Sequence, residues 1–277
     1  MRERRLCTAP YREGSRLRSS RAWAGHRDRS TPGQILASDQ HLRTGKRFFI
    51  GDRHQSGTGS VTISFPNQFE THNRTAEIKF DTPIDFGLLA APETRYEIAS
   101  QLISDRAVLT VSSATSTVRP GTEIEYHEVI VKVPVRVGGR DYIYPVVTWV
   151  DHEYSLVRGY LLGFNKRFST QMSGDFSFSS TDMDICFSGG TRQACEPHDR
   201  GELLQLPFLV DAHFMIDGDL SRNRLGILDV SEYQLTACGR VVDVESSCTI
   251  LGHTGQLGDV FETEDTFQLN GVISVEL

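Results

Sequence analysis

Lysine is scarce in this chain: Lys46, Lys79, Lys132 and Lys166 stand against twenty-five arginines. Long apolar runs are missing too. No stretch approaches 18 apolar residues, which excludes a membrane-spanning helix, and the start lacks the apolar core of a secretory signal. Five cysteines (Cys7, Cys186, Cys195, Cys238, Cys248) form no C-x-x-C pair. An odd number at loose spacing argues against a disulfide framework or a structural zinc site, and a reducing, cytoplasmic compartment is expected. His127, His152, His213 and His253 lack ligand spacing, so no metal is expected. His152-Glu153 has no second histidine four positions on, and no G-x-S-x-G elbow occurs. Gly57-Thr58-Gly59-Ser60 is too short for a phosphate loop and precedes a strand rather than a helix. The common motifs of zinc proteases, serine hydrolases and nucleotide-binding enzymes are thus absent.

Charge is present but unevenly spread. Residues 1–34 hold nine arginines, no lysine and three acids, and read as a disordered basic tail. Positions 35–277 carry the other 20 basic and 33 acidic side chains, a net charge of −13, which makes nucleic acid an improbable partner.

The ordered body, taken as one domain over 35–277, reads as strands. Val61 to Phe65 alternates, and so does the run from 129 to 137, where Val129, Val131, Val133, Val135 and Val137 share one face. Gly138-Gly139 supplies the positive φ of a tight hairpin. The return strand over 142–150 is apolar on both faces, which argues for a central place, while Pro145 argues against one. A short helix is expected after Asp151, with Leu156, Val157, Tyr160 and Leu161 on its buried side and Gly163 at its end. Residues 176–178, 202–210 and 233–244 read as further strands, and 188–190 and 252–258 as loops. The expected fold class is mainly β (α+β): one antiparallel or mixed β-barrel-like domain with a few short helices.

Lys166 lies in the apolar segment Leu161-Leu162-Gly163-Phe164-Asn165-Lys166-Arg167-Phe168. An ordinary lysine is a neutral amine in only about 4 of 10,000 molecules at pH 7, and apolar burial can lower its pKa by roughly 3–5 units. Lys166 is therefore a candidate nucleophile. Glu128, just before the valine-alternating strand, falls on the face opposite the valines with Lys132 and Arg136, and is a candidate proton shuttle.

Taken together, Tyr126-His127-Glu128, Gly139-Arg140-Asp141-Tyr142, Trp149-Val150-Asp151 and Gly163-Phe164-Asn165-Lys166-Arg167 resemble, in order and spacing, the acetoacetate decarboxylase superfamily. The resemblance implies that fold type. It also implies a cofactor-independent lyase in which Lys166 forms an imine with a keto-acid substrate and Glu128 moves the proton. Arg167, Arg74 and Tyr126 would bind substrate, and a homo-oligomer is implied. Relatives use the same lysine for decarboxylation or for aldol condensation and dehydration. This chain departs from the family pattern: Asn165 replaces the proline before the lysine, and no acid stands near Val111, where a second glutamate is expected. Because adjacent strand residues face opposite ways, Arg167 need not approach the Lys166 amine, and desolvation should dominate any depression of its pKa. The alternative is a non-catalytic module binding a small apolar or carboxylate ligand.

Overall fold

The computed structural model describes residues 46–50, 61–212 and 224–275. The expected basic tail lies outside these residues. The chain runs β1 (Lys46–Ile50), β2 (Val61–Phe65), β3 (Asn67–Asp85), α1 (Tyr96–Ala99), β4 (Ile103–Arg119), β5 (Thr122–Val137) and β6 (Arg140–Val150). It continues with α2 (Glu153–Leu161), β7 (Lys166–Phe168), β8 (Met172–Ser173), β9 (Ser177–Ser179), β10 (Met183–Ala194) and β11 (Leu209–Ala212). The last strands are β12 (Arg224–Ile250), β13 (His253–Thr254) and β14 (Gln256–Ser274).

β1 and β2 form a separate hairpin. The other strands make one mixed sheet of order β7-β6-β5-β4-β3-β14-β12-β10-β9-β8, with β11 and β13 paired to β12. The mainly-β reading holds, but the sheet does not close into a barrel. No helix among the described residues is long and apolar enough to cross a membrane.

Strand periodicity divides the interior in two. Odd positions of β5 (Val129 to Val137), even positions of β3 (Ala76, Ile78, Phe80) and odd positions of β4 (Ala107, Leu109, Val111) enter one apolar core with β10 residues Ile185 and Phe187. The opposite face carries a second cluster, in which Phe69, Ala114, Tyr126 and Val150 pack with Leu161, Leu162 and Phe164 from the end of α2 and with Val210 of β11.

Gly138 and Gly139, at φ 57° and 77°, turn β5 into β6 as the sequence requires. Pro145 sits opposite Lys132 where the β5–β6 register slips. Such a bulge is where a sheet tolerates a residue without an N–H. Three expectations need correction. Residues 202–210 hold a short 3-10 turn (Leu203–Gln205), and only Leu209–Ala212 pairs as a strand. Ser188-Gly189-Gly190 lies within β10, its glycines at positive φ absorbing an irregularity without breaking the ladder. Of residues 252–258, expected as a loop, Gly252 completes a tight turn, His253–Thr254 is the short strand β13 and β14 already begins at Gln256. The helix is where it was expected, but its buried side is Ser155, Arg158, Gly159 and Leu161, and Tyr160 faces out. A buried arginine and serine hid that face from an apolar periodicity.

Candidate active site

A cavity of about 260 Å³ opens on the second face of the sheet. Its floor is a grid of paired residues. Phe69 opposes Phe267, Thr71 opposes Asp265, Asn73 opposes Thr263 and Thr75 opposes Phe261 across β3 and β14. The rows continue through Ser112 and Thr110 of β4 to Glu128 and Ile130 of β5. Then Ile130 pairs with Thr148 of β6, and Thr148 with Lys166 of β7. Lys166 thus stands in the row of Ile130, with Glu128 two residues to one side along β5 and Lys132 two residues to the other. The roof comes from α2, Phe164, the 197–208 segment, and Leu228 and Tyr233 of β12.

The chain delivers Lys166 there through an ordered helix exit. The Gly163 amide donates to Tyr160 O at 3.1 Å and the Phe164 amide to Gly159 O at 2.9 Å. This is the Schellman arrangement, with Gly163 at φ 94°. Asn165 then fixes the segment. Its Nδ2 donates to Leu89 O at 2.8 Å and Val146 O at 3.0 Å, and its carbonyl accepts from the Thr148 amide at 2.9 Å. A proline there would stiffen the chain, whereas the asparagine ties it to two neighbours.

The Lys166 side chain is only 7% exposed. Its Nζ donates to Glu128 Oε2 at 2.9 Å and to Ser155 Oγ at 3.0 Å. Burial lowers its pKa, the Glu128 carboxylate opposes that shift, and the Arg158 guanidinium adds to it. Gly159 makes the seat: a Cβ there would lie 2.1 Å from Lys166 Cε and 2.3 Å from Cδ.

Arg158 is 2% exposed, bonded to Ser116 Oγ at 2.7 Å, Asn67 Oδ1 at 3.3 Å and Tyr126 Oη at 3.4 Å. Its guanidinium also lies 4.6 Å from the Phe69 ring centre and 5.4 Å from that of Tyr154. Tyr126 lines the cavity, and burial pushes its hydroxyl up to about 12, so it stays protonated. Lys132 is the second buried lysine. Its Nζ donates to Thr110 Oγ1 at 2.7 Å and lies 5.0 Å from the Phe208 ring centre, and burial lowers its pKa to about 7.

The fold brings Lys166, Glu128 and Tyr126 together, but places both Arg167 and Arg74 elsewhere. Arg167 turns to the other face of the sheet, over Trp149 at 5.5 Å, donating to Leu89 O at 2.9 Å with Asp182 at 3.6 Å. Arg74 pairs with Glu262 at 2.7 Å and donates to the Phe187 and Gly189 carbonyls. The cation that acts on Lys166 is therefore Arg158, from the helix, rather than its chain neighbour. Ser155, Arg158, Gly159 and Lys132 were not singled out as site residues from the sequence. For Lys132, its place on the Glu128 face of β5 was a readable signal.

A mainly-β sheet of this order matches an acetoacetate decarboxylase-like fold. The acetoacetate decarboxylase family profile matches residues 98–172, the segment that holds Tyr126, Glu128, Arg158 and Lys166. No curated protein matches the chain by sequence. Among solved structures, the chain is similar to an acetoacetate decarboxylase-like enzyme from Sphingomonas wittichii RW1 (TM-score 0.54, 14% identity, covering 76% of this chain and 93% of that one). It is similar to the enduracididine biosynthesis enzyme MppR complexed with the condensation product of pyruvate and imidazole 4-carboxaldehyde (0.53, 14%, 76% and 89%). It is also similar to acetoacetate decarboxylase from Legionella pneumophila (0.50, 13%, 76% and 88%). The chain is acetoacetate decarboxylase-like in its fold and in its central segment.

Proposed function

We propose that this protein is an imine-forming lyase acting on a keto acid, with Lys166 as nucleophile and Glu128 as the proton carrier. The observation that carries the reading is the Lys166–Glu128 contact of 2.9 Å in the wall of the cavity, with burial depressing the amine pKa. A proton passed from Lys166 to Glu128 gives a free amine and a carboxylic acid in one move. The amine adds to the keto carbon. The acid then protonates the carbinol oxygen, and water leaves as the C=N bond forms. Glu128, again a carboxylate, takes a proton from the carbon next to the iminium; the C–H electron pair becomes a C=C bond and the C=N π pair moves onto nitrogen, giving an enamine. Ser155 holds the amine from the helix side. The enamine is the common point from which aldol addition and dehydration proceed, and the same iminium is the electron sink for decarboxylation.

Borohydride trapping tests this. Incubation with acetoacetate, pyruvate or longer keto acids, followed by reduction, should give a stable mass adduct on the Lys166 peptide that is absent in Lys166→Met. No adduct with any keto compound would overturn the proposal in favour of a ligand-binding module.

A further inference from the structure

We propose that Lys132 receives the carboxylate of the substrate, and that the substrate is a 2-oxo acid, whose carboxylate is bonded directly to the keto carbon. This rests on the reading of Lys166 as the imine-forming residue. Lys132 lines the same cavity, is 7% exposed, and finds only a hydroxyl, Thr110 Oγ1 at 2.7 Å, and the face of Phe208. An ammonium carries three N–H donors, and no carboxylate among the described residues lies within ion-pair distance of this one.

The other buried cations are already engaged. Lys166 has Glu128, and Arg158 is held by Asn67, Ser116, Tyr126 and aromatic faces. The cavity lining carries Lys132, Lys166, Arg158 and Arg200 against two carboxylates, Glu128, which pairs with Lys166, and Asp265, which accepts from Asn73, Thr263 and Tyr233. A buried ammonium with only a hydroxyl as hydrogen-bond partner is costly, so the Lys132 position is suited to take an anion.

Register gives the orientation. Along β5, Glu128 and Lys132 flank the row of Lys166 at two residues each way, about 6.6 Å of strand apiece. The Lys132 head leans back to Thr110, which stands in the Lys166 row itself. A keto carbon bonded to Lys166 has two substituents. With the carboxylate toward Lys132, the other substituent, C3, points toward Glu128. Glu128 then removes a C3 proton, and the enamine forms with the carboxylate intact. Loss of carbon dioxide from a 2-oxo acid would leave the C1–C2 bonding pair on the iminium carbon itself, where the C=N bond cannot take it up, so the iminium serves as electron sink for C3 and not for the carboxylate. The arrangement thus favours carbon–carbon bond chemistry at C3 over decarboxylation.

The test compares pyruvate with acetone, the same methyl ketone without the carboxylate, in borohydride trapping by the full chain. Lys132→Met should raise the half-saturating pyruvate concentration roughly 10- to 100-fold, as loss of a charge-assisted hydrogen bond implies, and affect acetone trapping at Lys166 far less. Lys132→Arg should recover part of the pyruvate response. Equal losses for both ketones, or no loss for either, would overturn the proposal. If the wild-type protein gives no Lys166 adduct with either compound, the imine reading fails. The anion site is then read by calorimetric titration with propionate: binding that disappears in Lys132→Met keeps Lys132 as a carboxylate receptor, and equal binding refutes it.

Discussion

Substituting Gly159 by alanine adds one carbon, and the geometry says where it goes. The new Cβ would sit 2.1 Å from Lys166 Cε, 2.3 Å from Cδ and 3.0 Å from Cγ. Ordinary carbon contacts begin near ~3.5 Å, so the lysine stem must move by more than about 1 Å and carry Nζ with it. The bonds to Glu128 (2.9 Å) and Ser155 (3.0 Å) cannot survive that shift. A displacement of about 1 Å at a reacting group costs on the order of 100-fold in rate, and the rate of borohydride trapping at Lys166 should fall by that factor. Stability should move far less. Alanine gains about 1 kcal/mol over glycine in a helix, and overpacking costs roughly 1–3 kcal/mol when neighbours cannot yield. Here the neighbour is a flexible stem, so the two offset and the melting temperature should stay within roughly 5 °C of wild type. Parallel thermal unfolding and trapping kinetics measure both quantities. A folded Gly159→Ala protein that traps keto acids at the wild-type rate would refute the claim that this glycine makes the seat of Lys166. A protein that no longer folds would refute the claim that the lysine stem yields.

Other substitutions separate the remaining parts of the argument. Glu128→Gln should slow imine formation, because the acid that protonates the carbinol oxygen is gone, and should slow deuterium exchange at C3 of pyruvate by roughly 10²–10⁴-fold; proton NMR in heavy water reads this directly, and undiminished exchange would remove Glu128 from the mechanism. Gly163→Ala should cost about 2–4 kcal/mol in urea denaturation, because its Cβ would meet the backbone of Asp211 at 2.6 Å and the residue sits at φ 94°; a loss under about 1 kcal/mol would contradict the packing. Lys132 has a pKa of about 7 in the folded protein against 10.5 for an ordinary lysine, so the unfolded chain binds the extra proton between those values and wild-type stability rises with pH across that window. The stability gained by Lys132→Met should therefore grow as pH falls from 10.5 to 7 and level off below 7; denaturation curves at pH 6, 8 and 9.5 check it, and a pH-independent difference would refute the burial of this amine.

Much of the frame was readable from local pattern. The valine alternation of β5, the Gly138-Gly139 turn, the helix after Asp151 and its end at Gly163 each follow from a period or a backbone preference carried within a few residues. Lys166 and Glu128 could be nominated because each stands out against its own neighbours. The buried side of α2 was misread because Ser155, Arg158 and Gly159 face the interior, and hydrophobic periodicity has no means of marking a polar cavity wall. Arg167 and Arg74 were nominated by alignment to a pattern, and the sheet turned one away and gave the other a carboxylate partner in Glu262.

The sequence by itself determined the strand character of the central run from 129 to 150, where the main hairpin turns, and that one lysine lies in apolar surroundings, because these depend on spacings of two to four residues. Tertiary structure alone decided what that lysine meets. Glu128 lies 38 positions from it and Ser155 lies 11 away. The pairing of β5, β6 and β7 sets Lys166 in one row with Ile130, Glu128 on one side and Lys132 on the other. Cross-strand register is a property of the whole sheet, so the chemistry of the cavity emerges only when the strands are laid side by side.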